Sequence, residues 1–393
     1  MFSLGYSLDL HYLCTRKLII MYDQIREDIL FILLYTVVTV MATMASIYLL
    51  LRRGNAFAAD ITTPLRLRHW TAAFFGVIAV GHLWYIPTIA PNSADNFMLS
   101  LLIGALLDCL FTIPLGFIVM LSMLQDRQRP LWPVTVMVAP LVVGMVTYIF
   151  TLSDVILFIL RVYFLLMSIG FIIYMIHAVR QYSQWLRENY ADLEHKEVWQ
   201  SFLVLATIML IFGYYVSGAS GMTYEYIIQV SGIILICYLL WRVETLSDLS
   251  IPVHPDTAID DATAKTAATE DFSLSSVRND IGSLLKHYCE EPQLYLKHDM
   301  SLSQVATLIG INRTYLSKHF AMQGITYNAY INALRIQHFV NLCHEKAAAH
   351  QPLSVLQLAL ESGFRSYSTF NTAFKQSMGT TATEWLRNLD SRY

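Results

Sequence analysis

The sequence predicts an all-α protein in two unlike halves: a seven-helix transmembrane bundle, then a cytoplasmic domain with two helix-turn-helix units joined by a long helix. Three observations carry this. Of 393 residues, 55% are hydrophobic and 14% charged, with a mean hydropathy of +0.48, outside the range of ordinary soluble domains and against a cytosolic enzyme. The apolar mass is concentrated before residue 243, in runs near the ~20 residues that a hydrocarbon core about 30 Å thick requires. One pattern of Ala, Gly, capping and aromatic residues then occurs twice near the C-terminus.

Residues 1–28 read as an extracytoplasmic N-terminal segment. Arg16 and Lys17 follow its weakly apolar part instead of preceding it, the wrong order for a cleaved secretory signal, and Met21 is an alternative start to Met1. The membrane domain is expected over 29–243, with seven spans: Ile29 to Leu51, Trp70 to Ala90, Phe97 to Leu124, Leu131 to Leu152, Val155 to His177, Trp199 to Gly218, and Met222 to Trp241. Cytoplasmic loops carry the excess of Lys and Arg. Arg52, Arg53, Arg66 and Arg68 follow the first span, Arg127 and Arg129 the third, Arg180, Arg187 and Lys196 the fifth, and Arg242 the seventh. The alternation places the N-terminus outside and everything after Arg242 in the cytoplasm, at a bacterial inner membrane.

His82, Asp108 and Arg161 fall within spans, where charge costs several kcal/mol unless it is paired or snorkelled. All three count to the outer half, so three readings stand: an Asp108–Arg161 pair that fixes packing, a pocket for an outside ligand, or ion translocation. Pro87 and Pro114 are expected to kink helices. The stretch Arg180 to Val198 is expected to extend the fifth helix into the cytoplasm, with His195, Glu194 and Glu197 on a solvated face. Residues 244–271, with seven acids against Lys265, have the composition of a flexible acidic linker. The five cysteines show neither C-x-x-C spacing nor a nearby His group, so no metal, disulfide framework or cofactor is expected.

From 272 to 393 the composition is that of a soluble domain with helical periodicity. In SLSQVATLIGINRTYLSKHF a Ser caps a short helix, Ala306 leaves room for a crossing helix, Gly310 makes the turn, Asn312 caps a second helix, and Leu316 and Phe320 face inward. The pattern recurs with Ala359 and Gly363 at an offset of 53, and Ser366, Phe370 and Phe374 at 54. Tyr327 to Lys346 forms a connecting helix about 30 Å long. Two recognition helices so joined can enter successive major grooves, about 34 Å apart on one DNA face.

These residues resemble the AraC/XylS-type DNA-binding domain of bacterial transcription regulators, over about Val277 to Arg387. The matching motifs are Ala306 with Gly310, Tyr315-Leu316 to Phe320, Tyr330 to Arg335, Leu358-Ala359 to Gly363-Phe364, Phe370 and Phe374-Lys375, and the closing Gly379 to Trp385. Ala382 stands where the family usually has Pro, and Phe339 where it usually has a small residue. The resemblance implies base-reading faces of Arg313, Thr314, Ser317 and Lys318 on one helix and Tyr367, Ser368, Asn371 and Thr372 on the other. Arg365 and Lys375 are expected at phosphates. The domain has 11 basic and 8 acidic residues, so backbone attraction is modest and specificity needs both helices.

The function implied is a membrane-bound transcription regulator, not an enzyme, that binds promoter DNA under control of a signal sensed by the membrane domain. Its expected partners are double-stranded DNA, the lipid bilayer, a small-molecule or membrane signal, and a second copy of the chain. The alternative is a membrane transporter or enzyme with a fused DNA-binding or protein-interaction module, for which no catalytic motif is found.

Overall fold

The computed structural model describes residues 28–52, 54–58, 61–89, 94–216, 222–249, 281–349, 351 and 354–390. The N-terminal segment through residue 27, Met21, Arg53 and the linker from residue 250 onward lie outside the described residues. The described residues are mainly helical, with no strand among them and one isolated bridge, Tyr190 with Ser301. Two compact units emerge: residues 1–180 with 198–250, and residues 181–197 with 251–393.

The first unit contains α1 (Ile29–Leu51), α2 (Leu65–Ile89), α3 (Ala94–Leu107), α4 (Ile113–Ser122), α5 (Trp132–Thr151), most of α6 (Asp154–Asn189), α7 (Trp199–Val216) and α8 (Met222–Thr245). Helix falls within each of the seven expected spans, of which Ala90 and residues 217–218 lie outside the described residues. Among the described residues five helices, not seven, are long and apolar enough to cross a membrane: Ile29–Leu51, Ser100–Ser122, Trp132–Thr151, Asp154–Asn189 and Met222–Thr245. Trp199–Gly213 is a shorter apolar helix, and α2 opens on Arg66, Arg68 and His69. Side chains left open to the surroundings are themselves apolar, among them Phe150 at 84%, Phe158, Leu166 and Ile173.

Between α3 and α4 the helix widens to a π turn over Asp108–Thr112, with the Ile113 amide bonded to the Asp108 carbonyl. Pro114 follows directly. Its ring collides with the carbonyl four residues back in a regular helix, and one extra residue in the turn relieves that collision. The kink expected at Pro114 thus takes the form of a π bulge.

One end of this unit is polar and tightly bonded. Arg52 pairs with Glu244 at 2.9 Å with both side chains buried, and Asn55 donates to the Glu244 carbonyl. Gln125 bonds the backbone of Ser247 and Leu249, Asp248 N–H reaches the Thr62 carbonyl, and Arg129 pairs with Asp126 at 2.7 Å. Of the stretch read as linker, Glu244 to Leu249 is therefore packed. A buried Glu next to Arg52 supplies the anchor that composition alone did not signal.

His82 and Asp108 have different hydrogen-bond partners. The His82 ring lies 4.7 Å from that of Tyr35 and 3.4 Å from the Gln229 side-chain oxygen, whereas Asp108 accepts from Thr112 at 2.8 Å and Tyr85 at 3.3 Å. Among the described residues no ion pair links Asp108 to Arg161; hydroxyls on its own turn and on α2 take that place.

Besides residues 181–197, the second unit contains, from Ile281 onward, a π turn (Lys286–Glu290), a 3-10 turn (Leu294–Leu296), α9 (Leu302–Leu308), α10 (Arg313–Met322), α11 (Tyr327–Ala348), α12 (Val355–Glu361), α13 (Tyr367–Met378) and α14 (Ala382–Asp390). It has two cores. One joins Ile281, Leu285, Leu302, Val305, Ala306, Leu316, Phe320, Tyr327 and Ile331, and the other Ile336, Phe339, Cys343, Leu358, Ala359, Phe364, Phe370, Phe374 and Ala382. The helix α11 serves both, giving its first half to one core and its second half to the other.

Candidate nucleic-acid interface

Each helix-turn-helix is built from local instructions. Ser301 and Gln304 form a reciprocal capping box that starts α9. Gly310 turns the chain at φ +73°, and the Asn312 side chain accepts the Thr314 amide at 2.8 Å to start α10. In the repeat, Ser354 starts α12, Gly363 turns at φ +86°, and Ser366 caps α13. Ala306 and Ala359 are buried where the paired helices cross, and Leu316, Phe320, Phe370 and Phe374 point inward with at most 3% exposure.

Burying those faces turns the others outward. On α10, Arg313, Thr314 and Lys318 are exposed and Ser317 half-buried; on α13, Tyr367, Ser368, Thr372 and Lys375 are exposed and Asn371 half-buried. Arg365, half-buried before α13, pairs with Asp299 at 3.4 Å. Both outward faces hold neutral donors and acceptors with one or two cations, a set able to bond base edges and phosphate oxygens.

Arg335, at the end of the Tyr330 to Arg335 motif, fastens the two helix-turn-helix units to each other. Buried to 1% exposure, it donates to the carbonyls of Tyr295 at 2.7 Å, Lys297 at 2.8 Å and His298 at 3.4 Å, and its guanidinium lies 5.6 Å from the Phe364 ring centroid. Burial draws its pKa down, while Asp192, Tyr327 and Asp299 act to hold the proton. The His298 ring bonds the Gly363 carbonyl at 3.0 Å. At Gly363 an added Cβ would sit 2.7 Å from Leu296 Cα, so the turn of the second unit presses on the backbone that leads into the first. Phe339, where the family usually has a small residue, lies tilted against Phe370 with ring centroids 4.6 Å apart and helps close the second core.

Residues 181–197 also belong to this unit, and sequence reasoning missed them. After Asn189 ends α6, the chain turns and Ala191 enters the first core at 1% exposure, with its N–H bonded to the Met300 carbonyl at 3.1 Å. Asn328 on α11 donates to the Ala191 carbonyl at 2.6 Å, Tyr182 to the Lys196 carbonyl at 3.1 Å, and Lys196 to Asp299 at 3.1 Å. Arg313 donates Nε at 3.0 Å, and also Nη2, to the Asn189 side-chain oxygen. Asn189 is held in turn by its bond to the Trp185 carbonyl at 2.6 Å. His195, Glu194 and Glu197, expected on a solvated face, are half-buried, while their neighbours Asp192 and Lys196 are buried at 2% and 5% exposure. Burial pushes the Asp192 carboxyl above the usual range. At Asp299 burial acts upward as well, but Lys196 and Arg365 outweigh it and hold the carboxyl below its ordinary value.

Residues 294–388 match the family described as a helix-turn-helix domain. Similar proteins include an uncharacterized helix-turn-helix-type transcriptional regulator of Staphylococcus aureus strain MRSA252, 28% identical over 104 residues, which are 26% of this chain and 13% of that protein. The TCP pilus virulence regulatory protein of Vibrio cholerae is 32% identical over 75 residues, 19% of this chain and 25% of that protein. The chain thus spans a quarter or less of the length of these relatives, and no solved structure matches it. The C-terminal part of this chain is a helix-turn-helix domain of the AraC type.

Proposed function

We propose that the chain is a membrane-anchored transcription regulator of a bacterial inner membrane, which reads promoter DNA through α10 and α13 and takes its signal from the seven-helix N-terminal domain. The observation that carries this is the pair of capped helix-turn-helix units on one helix, α11, whose 22 residues span about 33 Å. Anchoring is supported by the apolar side chains on the outside of the first unit, which water would not tolerate in such number. An inward-facing polar end is supported by Arg52, Arg66 and Arg242 at helix termini and Arg129 in the loop before α5, with Arg52 paired to Glu244 and Arg129 to Asp126. In this reading Arg313, Thr314, Ser317, Lys318, Tyr367, Ser368, Asn371 and Thr372 face bases, and Arg365 and Lys375 face phosphates.

The test is genome occupancy of the intact tagged protein in its own cells, beside an Arg313→Ala, Asn371→Ala double variant. Discrete sites lost in the variant are expected. Absence of any site across growth conditions overturns the reading in favour of a transporter or scaffold carrying the domain.

A further inference from the structure

Arg313 is the first residue of α10, the position from which a recognition helix most directly meets base edges. A guanidinium reads guanine by presenting two donors in a fork to O6 and N7. In this structure Nε and Nη2, one edge of that fork, converge on a single acceptor, the Asn189 side-chain oxygen. That acceptor is aimed: its own amide is held by the Trp185 carbonyl one turn back on α6. It is also anchored from the other side, because Tyr190 bridges Ser301, Ala191 is buried in the first core, and Asn328 holds the carbonyls of Tyr190 and Ala191. Among the described residues the second helix-turn-helix shows no counterpart of this contact. Tyr367, Ser368 and Thr372 stand exposed at the equivalent turns of α13.

We propose that Asn189 is an autoinhibitory latch: the segment 181–197, docked on the first helix-turn-helix, occupies the donor edge of Arg313 and competes with DNA for it. The inference rests on the DNA-binding reading above and adds its regulation. Asn189 is the last residue of the 36-residue helix whose N-terminal part is the most apolar candidate span. A shift or rotation of that helix moves the latch residue itself, with no further messenger. Release breaks the two bonds to Arg313, the Asn328 clamp, the backbone bridge at Ser301 and the Lys196–Asp299 pair, and withdraws Ala191 from the first core. DNA and the docked segment are alternatives for one side chain, so each must weaken the other's hold by the same factor.

The experiment uses the full chain in lipid nanodiscs and a labelled duplex taken from one of its occupied sites. Affinity is compared for wild type, Asn189→Ala, Asn189→Asp, Asn328→Ala and Arg313→Ala. Asn189→Ala is expected to bind about fivefold tighter or more, and Asn328→Ala to act in the same direction by loosening the docked backbone. Asn189→Asp, which turns the acceptor into an anion facing Arg313, is expected to bind more weakly than wild type. Opposite signs at one position cannot come from misfolding. If Arg313→Ala weakens binding while Asn189→Ala matches or falls below wild type, the latch is overturned and the DNA-binding reading stands. If Arg313→Ala has no effect in either the wild-type or the Asn189→Ala background, the latch is also overturned, because nothing remains for it to release. If no form prefers the duplex to random DNA, both readings fall.

Discussion

The two helix-turn-helix units carry one pattern, offset by 53 and 54 residues, and close in different ways. The second is self-contained: Phe339, Phe364, Phe370, Phe374 and Trp385 pack edge to face or tilted around one another, with Ala382 and Leu386 of α14 completing the core. The first borrows. Ala191 comes from more than a hundred residues upstream, and the turn at Gly310 has no atom within 4 Å of where a Cβ would stand. Identical local instructions thus yield one unit that is a finished core and one whose surface is shared with a segment that can leave. A regulated reader needs the second kind.

Removing an aromatic from the finished core is the strongest way to break the comparison. Phe370→Ala deletes a side chain with no exposure and is expected to cost about 4 kcal/mol, seen as lost amide-exchange protection across α12 to α14 while α9 and α10 keep theirs. The turn glycines sharpen it. Gly363→Ala combines left-handed strain with a Cβ 2.7 to 2.8 Å from Leu296 backbone and is expected to cost about 3 kcal/mol, against about 1 kcal/mol for Gly310→Ala, which meets strain alone. Comparative thermal unfolding of the two variants checks the difference.

A double-mutant cycle reads the borrowed surface. Arg313→Ala is expected to cost more DNA affinity in an Asn189→Ala background than in wild type, by about 1 kcal/mol, while Asn371→Ala costs the same in both. Equal costs at Arg313 would mean that the units are as independent as their patterns.

The smallest expected effect is on pH. The depressed Asp299 carboxyl contributes stability that is complete above its unfolded value, about pH 4, and is lost as the pH falls through its folded value. Asp192 has the opposite sign: its raised carboxyl favours the folded state below the unfolded value, and that contribution is lost as the pH rises through the folded one. Docking of 181–197, followed by protection of the Ala191 amide, is therefore expected to weaken at both ends. Asp299→Asn should remove the acid limb, and Asp192→Asn the upper one. The Asp299 part stays below about 1 kcal/mol because that side chain is 62% exposed.

Much of this was legible in the chain. The caps Ser301, Asn312, Ser354 and Ser366, the turn glycines and the buried Leu316, Phe320, Phe370 and Phe374 act within a few residues of themselves, so their spacing alone places the helices and their outward faces. Among the described residues helices fall within the apolar runs for a similar reason, since an unbroken apolar stretch satisfies its backbone most readily by bonding within itself. Composition went astray where a charged or polar residue found its partner far away. Glu244 read as the start of a tether until Arg52 paired with it, and the stretch around Glu194, His195 and Glu197 read as a solvated helix face although Ala191 beside it enters a core.

What the sequence by itself determined, then, is an apolar helical half, and a repeated domain whose turns and caps dictate its helices and outward faces. Only the tertiary structure decided that residues 181–197 belong with the DNA-binding unit, that Arg335 and Gly363 fasten its halves, and that Arg313 faces Asn189, a partner 124 residues away. The physical reason is the range of the interactions. Caps, turns and apolar periodicity are satisfied by neighbours in the chain, whereas a buried guanidinium, a backbone pressed against a glycine and a shared hydrogen-bond acceptor exist only once distant segments have met.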